Sequence, residues 1–369
     1  MNILIACDSF KDALDAPSVC RAIERGLQLA APSVNTHVFP LADGGEGLSD
    51  ILNHHLGLKT VEIEVHDPLF RKIKATYNLS KDNATAFIEM AQAAGLQLLT
   101  HEERNPLKTT TFGVGELIFD ALERGAKHIV LGIGGSATND LGMGMAAALG
   151  WQFLDENKEN LTPIGGNLNK IDNITPPQYS LLKTTFFEVM CDVTNPLLGK
   201  TGAARVYAKQ KGASDSDVET LEQGAVNFWK VANFPKVGVE TAGAGAAGGL
   251  GFGALFFLNA TIKSGIDAMM DLTDFDKHVA WADVIFTGEG RLDSQTAHGK
   301  LISGIISRSK GKPIIALCGA LDTSPQYLSD LGLKAAFSIA QKPCTLPEAL
   351  ALTSENLEKT AFNIGKLIF

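Results

Sequence analysis

The stretch HIVLGIGGSATNDLGMGMAAALG, residues 128–150, decides the fold. Its largely apolar start reads as a strand buried on both faces, and the turn that follows offers glycine and small polar residues where a core would want bulk. A helix is predicted to open at about Asn139 and to run on through the Met-Ala segment. Strand, glycine turn and helix in that order make half of a βαβ unit.

The same rhythm appears on either side. NILIAC (2–7) and THVFPLA (36–42) read as strands, and PSVCRAIERGLQLAA (17–31) and GLSDILNHHLG (47–57) as helices, with Pro17 near a first helical position. KTVEIEVHD, KIKATYNL and ATAFIEM then look like antiparallel strands, so something different starts near Leu69. Later come the helix GVGELIFDALERGA, the strand FFEVMCDV, and the helices DSDVETLEQGAVNFWKVANF and GAGAAGGLGFGALFFLNA. Strand–helix alternation returns with ADVIFTGEG, KLISGIISRSKG, PIIALCGAL, AAFSIAQK and the closing helix PEALALTSENLEKTAFNIGKLI. The expected class is α/β, with largely parallel sheets covered by helices on both faces.

Composition removes several functions. Against 41 Asp and Glu stand 32 Lys and Arg, a formal net charge of -9 with no basic block, which argues against a nucleic-acid partner. Five cysteines without CxxC spacing and eight histidines without HxxxH give neither a disulfide framework nor a zinc site. The apolar stretch LGFGALFFL is about half the roughly 20 residues a spanning helix needs. Met1 leads into NILIA with no basic leader, so a soluble cytoplasmic protein without membrane association is expected.

In such folds ligands collect at the carboxyl ends of strands. Five predicted strands end in CDSFK (7–11), ADGGEG (42–47), GIGGSATND (132–140), CDVTNP (191–196) and TGEGRLD (287–293). In the third, Gly134 and Gly135 allow a sharp turn with exposed amides, Ser136 and Thr138 add hydroxyls, and a helix from Asn139 would aim its positive end at the loop: a cradle for phosphate oxygens. The alternative is that these glycines only let helix and sheet pack closely. GIGGSA also fits the GxGxxA dinucleotide fingerprint, with Asp155 and Glu156 about 20 residues on. GAGAAG (243–248) fits GxGxxG as well without a strand before it, and Asp155 and Glu156 sit in a polar loop, which weakens the reading as an NAD-dependent oxidoreductase of small hydroxy acids.

Asp8, Asp43, Glu46, Asp140, Asp192, Glu289 and Asp293 all lie in these strand-end motifs. Hydride transfer has little use for so many carboxylates. A Mg·ATP site needs them, to hold Mg²⁺ and to take the proton of an attacking hydroxyl. Lys11, Lys211, Arg291 and Lys300 supply cations for a phosphoryl group or an acceptor carboxylate, although for each taken alone a solvated surface charge is the default reading. A non-catalytic two-domain binder of small acids is the remaining alternative.

DSFKDALDA, LADGGEG, IEMAQAAGL, NPLKTTTFGVGELI, GIGGSATNDLGMGMAAALG, CDVTNPLLG, QKGA, GAGAAGGLGFG and TGEGRLDSQTAHGK, in this order, resemble the bacterial type I glycerate kinases (glycerate 2-kinases) over nearly the whole chain. The resemblance implies ATP-dependent phosphorylation of D-glycerate, on the 2-hydroxyl, to 2-phosphoglycerate and ADP. It also implies a flavodoxin-like doubly wound domain from residues 1–68 and 262–369, with a second α/β domain, 69–261, inserted and a cleft between them. Homodimer formation is left open. In the resulting scheme Asp192 is the catalytic base, or else a turn-forming Asp, and Lys11 is its catalytic partner. Asp8, Ser9 and Arg291 face substrate; Gly134, Gly135, Ser136, Thr138 and Asn139 hold the nucleotide; Asp43, Glu289 and Asp293 hold Mg²⁺. Cys7, Leu48, Phe70 and Lys209 depart from the residues usual in that family, without removing a charge or donor from the motifs.

Overall fold

The structure, a computed structural model, describes residues 1–42, 48–178, 181–233, 238–293 and 300–369, excluding the side chains of Leu48, Ser49, Asp293 and Lys300. Its strands in chain order are β1 (Asn2–Ile5), β2 (Asn35–Val38), β3 (Lys59–His66), β4 (Lys72–Leu79), β5 (Thr85–Glu89), β6 (His128–Gly132), β7 (Gln152–Leu154), β8 (Asn173–Thr175), β9 (Phe186–Met190), β10 (Thr261–Lys263), β11 (Val284–Asp293), β12 (Ile314–Asp322) and β13 (Ala335–Ser338). The chain divides into two compact units, one from Met1–His55 with Gly265–Phe369, the other from Leu56–Ser264.

The first unit holds a sheet of order β13-β12-β11-β1-β2, parallel throughout. Counted within the unit this is the order 2-1-3-4-5 of flavodoxin-like folds, whose topological switch point lies between the first and third strands. Here that is between β1 and β11. Ile3, Leu4 and Ile5 are all fully buried, as a central parallel strand requires. Ile3, Ile5 and Cys7 pack on Val19, Ile23 and Leu27 of helix Ala16–Ala30 and on Leu357, Ala361 and Ile364 of helix Thr353–Ile368. Asp15 starts the former, its carboxylate accepting from the Ser18 amide at 2.7 Å, with Pro17 in the first turn as the sequence predicts. Helices Gly265–Leu272, Phe275–Trp281 and Lys300–Arg308 bury Met269, Phe275 and Ile305 outside that cluster.

The second unit holds the sheet β10-β9-β6-β5-β4-β3 and a β7–β8 ribbon. β3, β4 and β5 are antiparallel neighbours as the alternating pattern predicts, and β5 then pairs with β6 in parallel. β6, β9 and β10 continue in parallel. The break in rhythm read near Leu69 therefore falls in the β3–β4 turn, and the ladder carries β3 into this unit's sheet. Among the described residues no helix is long and apolar enough to cross a membrane.

Candidate functional site

The strand-end motifs form two constellations, one per unit. In the first, the chain leaves β1 at Cys7 and runs beside the end of β11, the Asp8 amide donating to the Gly288 carbonyl at 3.1 Å. This is the switch point, where ligands bind in such sheets. Asp8 and Ser9 are half-buried, the Ser9 amide donating to Asp8 Oδ1 at 2.6 Å. A tight turn, with the Phe10 amide on the Leu14 carbonyl at 2.8 Å and Asp12 at φ +62°, leaves Lys11 exposed. Arg291 is exposed on β11 and pairs with Asp322 of β12 at 2.8 Å. Glu289, two residues earlier and half-buried, lies opposite Cys318 of β12, whose thiol is pushed up to about 12 by burial and then by the Glu289 charge. Asp43 and Glu46, which follow Ala42 in the ADGGEG motif, lie outside the described residues, and so do the side chains of Asp293 and Lys300.

The second constellation is built around two loops that leave the ends of β6 and β9. β6 and β9 are hydrogen-bonded neighbours with Gly132 opposite Met190, so the 133–140 and 191–199 loops leave the sheet about 5 Å apart. Gly134 and Gly135 are exposed, Gly135 at φ +72°, and among the described residues their amides donate to nothing. The remainder of the first loop turns inward, against expectation. Ser136 is 8% exposed, and Thr138 and Asn139 are fully buried. The helix begins at Met143, not Asn139, because Leu141 and Gly142 take left-handed φ of +53° and +74° immediately before it.

Asp140 explains that delay. It is fully buried, and its carboxylate accepts from the Thr111 amide and hydroxyl at 2.8 Å each and from the Gly142 and Gly144 amides at 3.2 and 3.1 Å. It thus serves the starts of two helices, Phe112–Glu123 and Met143–Ala148. Burial raises its pKa, while the Thr111 bonds act the other way. Asp140 is therefore a fastening, and it is not available to metal or substrate.

Lys211 is likewise not the surface cation of the sequence reading. It is 1% exposed, and its ammonium donates to Ser136 Oγ at 2.6 Å and to the Thr138 carbonyl at 2.7 Å. Burial pushes it down to about 7, the Asp140 charge opposing.

The predicted helix GAGAAGGLGFGALFFLNA is broken at its start, Ala247, Gly248 and Gly249 being left-handed with φ of +52°, +67° and +83°. The break lets the segment press on the phosphate-type loop: a Cβ on Gly248 would lie 2.1 Å from the Thr138 carbonyl oxygen. The Leu141 amide donates to the Gly248 carbonyl at 3.2 Å, and the Gly245 amide to Asn195 at 3.0 Å. One segment thereby ties both loops.

Asp192, half-buried, sits at the start of the second loop. Residues missed by the sequence reading hold this loop: Tyr207, whose hydroxyl donates to Asn195 Oδ1 at 2.6 Å, and Glu222, whose Oε1 accepts from the Gly199 amide at 2.8 Å. Asp322, the partner of Arg291, was missed too. The buried run Thr109–Thr110–Thr111 ahead of helix Phe112–Glu123 carries hydroxyl capping chemistry legible in the sequence.

Parallel α/β sheets with glycine turns and carboxylates at their strand ends define the large class of α/β ligand-binding folds. Within it, the chain matches the profile of the Glycerate kinase family over residues 3–369. It is 44% identical over 371 residues to the glycerate kinase of Bacillus cereus, covering 99% of this chain and 97% of the relative. It is 40% identical over 370 residues to the glycerate 2-kinase of Escherichia coli, with the same coverage. A crystal structure from Salmonella typhimurium LT2, provisionally named glycerate kinase 2, superposes with a TM-score of 0.88 at 40% identity, covering 100% of this chain and 98% of that one. The chain belongs to the glycerate kinase family, and it is a kinase. Nothing in these relationships supports the hydride-transfer alternative.

Proposed function

We propose that the protein transfers the γ-phosphoryl group of ATP to the 2-hydroxyl of D-glycerate, giving 2-phosphoglycerate and ADP. The observation that carries the phosphate site is the pair of exposed amides at Gly134 and Gly135, which donate to nothing among the described residues, where a parallel strand ends beside the Asp192 loop. Ser136, Thr138 and Asn139 shape that loop from below. In the reaction the hydroxyl oxygen forms a bond to the γ-phosphorus, the bond to the β-bridging oxygen breaks, and Asp192 takes the hydroxyl proton.

Lys11 and Arg291 provide the cations for the glycerate carboxylate and the migrating phosphoryl group, with Asp8 and Ser9 beside them. The Arg291–Asp322 pair is largely exposed, at 62% and 71%, and exposed pairs are worth about 0–1 kcal/mol, so a bound carboxylate can replace Asp322. Magnesium fits the donor chemistry: it needs only one or two carboxylates besides nucleotide phosphates, and Glu289 is a half-buried oxygen donor at the switch point. Glu289 would hold it, with Asp43 and Asp293 as the further candidates; when bound it neutralises charge on the β- and γ-phosphates. The reading places the enzyme in the cytoplasm, where ATP is supplied.

Phosphorus NMR of the product from D-glycerate and ATP tests the assignment. The resonance of 2-phosphoglycerate is expected; 3-phosphoglycerate would move the acceptor position, and no turnover of any hydroxy acid would remove the activity.

A further inference from the structure

Lys211 carries a charge in a place where charge is costly. A buried ammonium needs compensation, and among the described residues no carboxylate lies within ion-pair distance of it. Its two acceptors, Ser136 Oγ at 2.6 Å and the Thr138 carbonyl at 2.7 Å, both belong to the loop that exposes Gly134 and Gly135. Three further polar atoms of that loop, Thr138 Oγ1 and Asn139 Oδ1 and Nδ2, are buried without a partner among the described residues. Buried polar atoms are nearly always paired when stability alone is at stake, and orphaned ones cluster where function holds a strained arrangement.

We infer that Lys211 is a positioning residue for nucleotide binding: from beneath the 133–140 loop its ammonium fixes Ser136 and the Thr138 carbonyl, and lends positive charge to the amides above. This rests on the phosphate reading of that loop. The lysine touches no reacting atom, and it acts through backbone that does. In a low-dielectric setting a cation one layer below the amides strengthens their hold on an anion. A residue that only filled space would give neither the short charge-assisted bonds nor a dependence on protonation.

Because burial brings this ammonium down to about 7, the charge is lost across ordinary working pH. Asp140, on the loop itself, is the charged group that acts on it. On the neighbouring elements, Lys209 is paired with Asp215 at 2.6 Å and Arg205 with Glu219 at 2.7 Å, both at the surface, and Glu222 is engaged by Gly199. Arg104 meets Gly212 through its backbone.

The test compares wild type, Lys211→Met and Gly135→Val in ATP titrations and steady-state kinetics from about pH 6.5 to about pH 8.5. Wild-type KM for ATP should rise several-fold relative to Lys211→Met over that range; the protonation of ATP itself is common to both and cancels in the ratio. At the acid end Lys211→Met should raise KM for ATP about tenfold or more, with kcat and KM for glycerate changed less than about threefold. A mutant with wild-type KM and pH profile overturns the inference. If Gly135→Val abolishes ATP binding while Lys211→Met is silent, only the role of Lys211 falls; if Gly135→Val is also silent, the phosphate reading falls with it. Should Lys211→Met fail to fold, NMR titration of carbon-labelled lysines in the wild type decides. One lysine titrating near neutrality, and moving upward when ADP is added, supports the inference, and a titration indifferent to ADP overturns it.

Discussion

Replacing Asp192 by Asn keeps the shape of the side chain and removes its ability to take a proton. If Asp192 is the base, kcat falls by about 10² to 10⁴ while the ATP dissociation constant, measured calorimetrically, stays within about twofold. Near-normal turnover would reduce Asp192 to a turn residue. At this scale the sequence is informative about residue type and poor about direction. Asp8, Asp140 and Asp192 look alike as strand-end acids, but Asp140 is folded into the core because four donors from Thr111, Gly142 and Gly144 converge on it. Thr138 and Asn139 look like ligands for the same reason and are buried by the left-handed segment at Gly248. No local pattern carries a contact made by residues a hundred positions away.

Two helix starts depend on one carboxylate, and that dependence can be measured. Asp140→Ala leaves the Thr111, Gly142 and Gly144 donors buried without an acceptor, each costing about 1–3 kcal/mol, so a loss of about 3 kcal/mol or more is expected in urea unfolding. Asp140→Asn keeps one accepting oxygen and should lose less. A loss under about 1 kcal/mol for the alanine variant would mean that water replaces the carboxylate. Element existence was legible: the strand at 128–132, the Pro17 helix and the antiparallel run all appear where hydrophobic period and turn residues put them. The helix start after the glycine turn was not, since Asn139 and Asp140 have N-cap chemistry in sequence while the left-handed Leu141 and Gly142 delay the helix and Asp140 also serves a second helix start in space. The break at Ala247–Gly249 was hidden for a related reason, because an Ala- and Gly-rich run satisfies both a helix and a left-handed turn.

For the molecule as a whole, acid sensitivity follows from its histidines. His37 stacks on His278 with ring centroids 4.5 Å apart and planes 3° from parallel, and Phe39 lies 4.3 Å from His55 and 4.6 Å from His278. Burial lowers the pKa of all three. Below the ordinary histidine value of about 6.5 the unfolded chain therefore takes up protons that the folded one refuses, and stability falls as pH drops through that value. Urea unfolding of the first unit, followed by fluorescence of Trp281 beside His37, should show a lower midpoint at about pH 5.5 than at about pH 7.5. His278→Phe should flatten the difference, and an unchanged slope would place the acid response elsewhere. Lys211 adds stability that grows from about pH 7 upward, where the unfolded lysine still holds the proton that the buried one has released. The parallel order of the first sheet also has a bearing on biosynthesis. β1 and β2 leave the ribosome well before the neighbour that closes the other side of β1, which is translated only after all of Leu56–Ser264. The nascent chain must carry an open strand edge until that neighbour is made, a period of aggregation risk that a contiguous domain of equal size would escape.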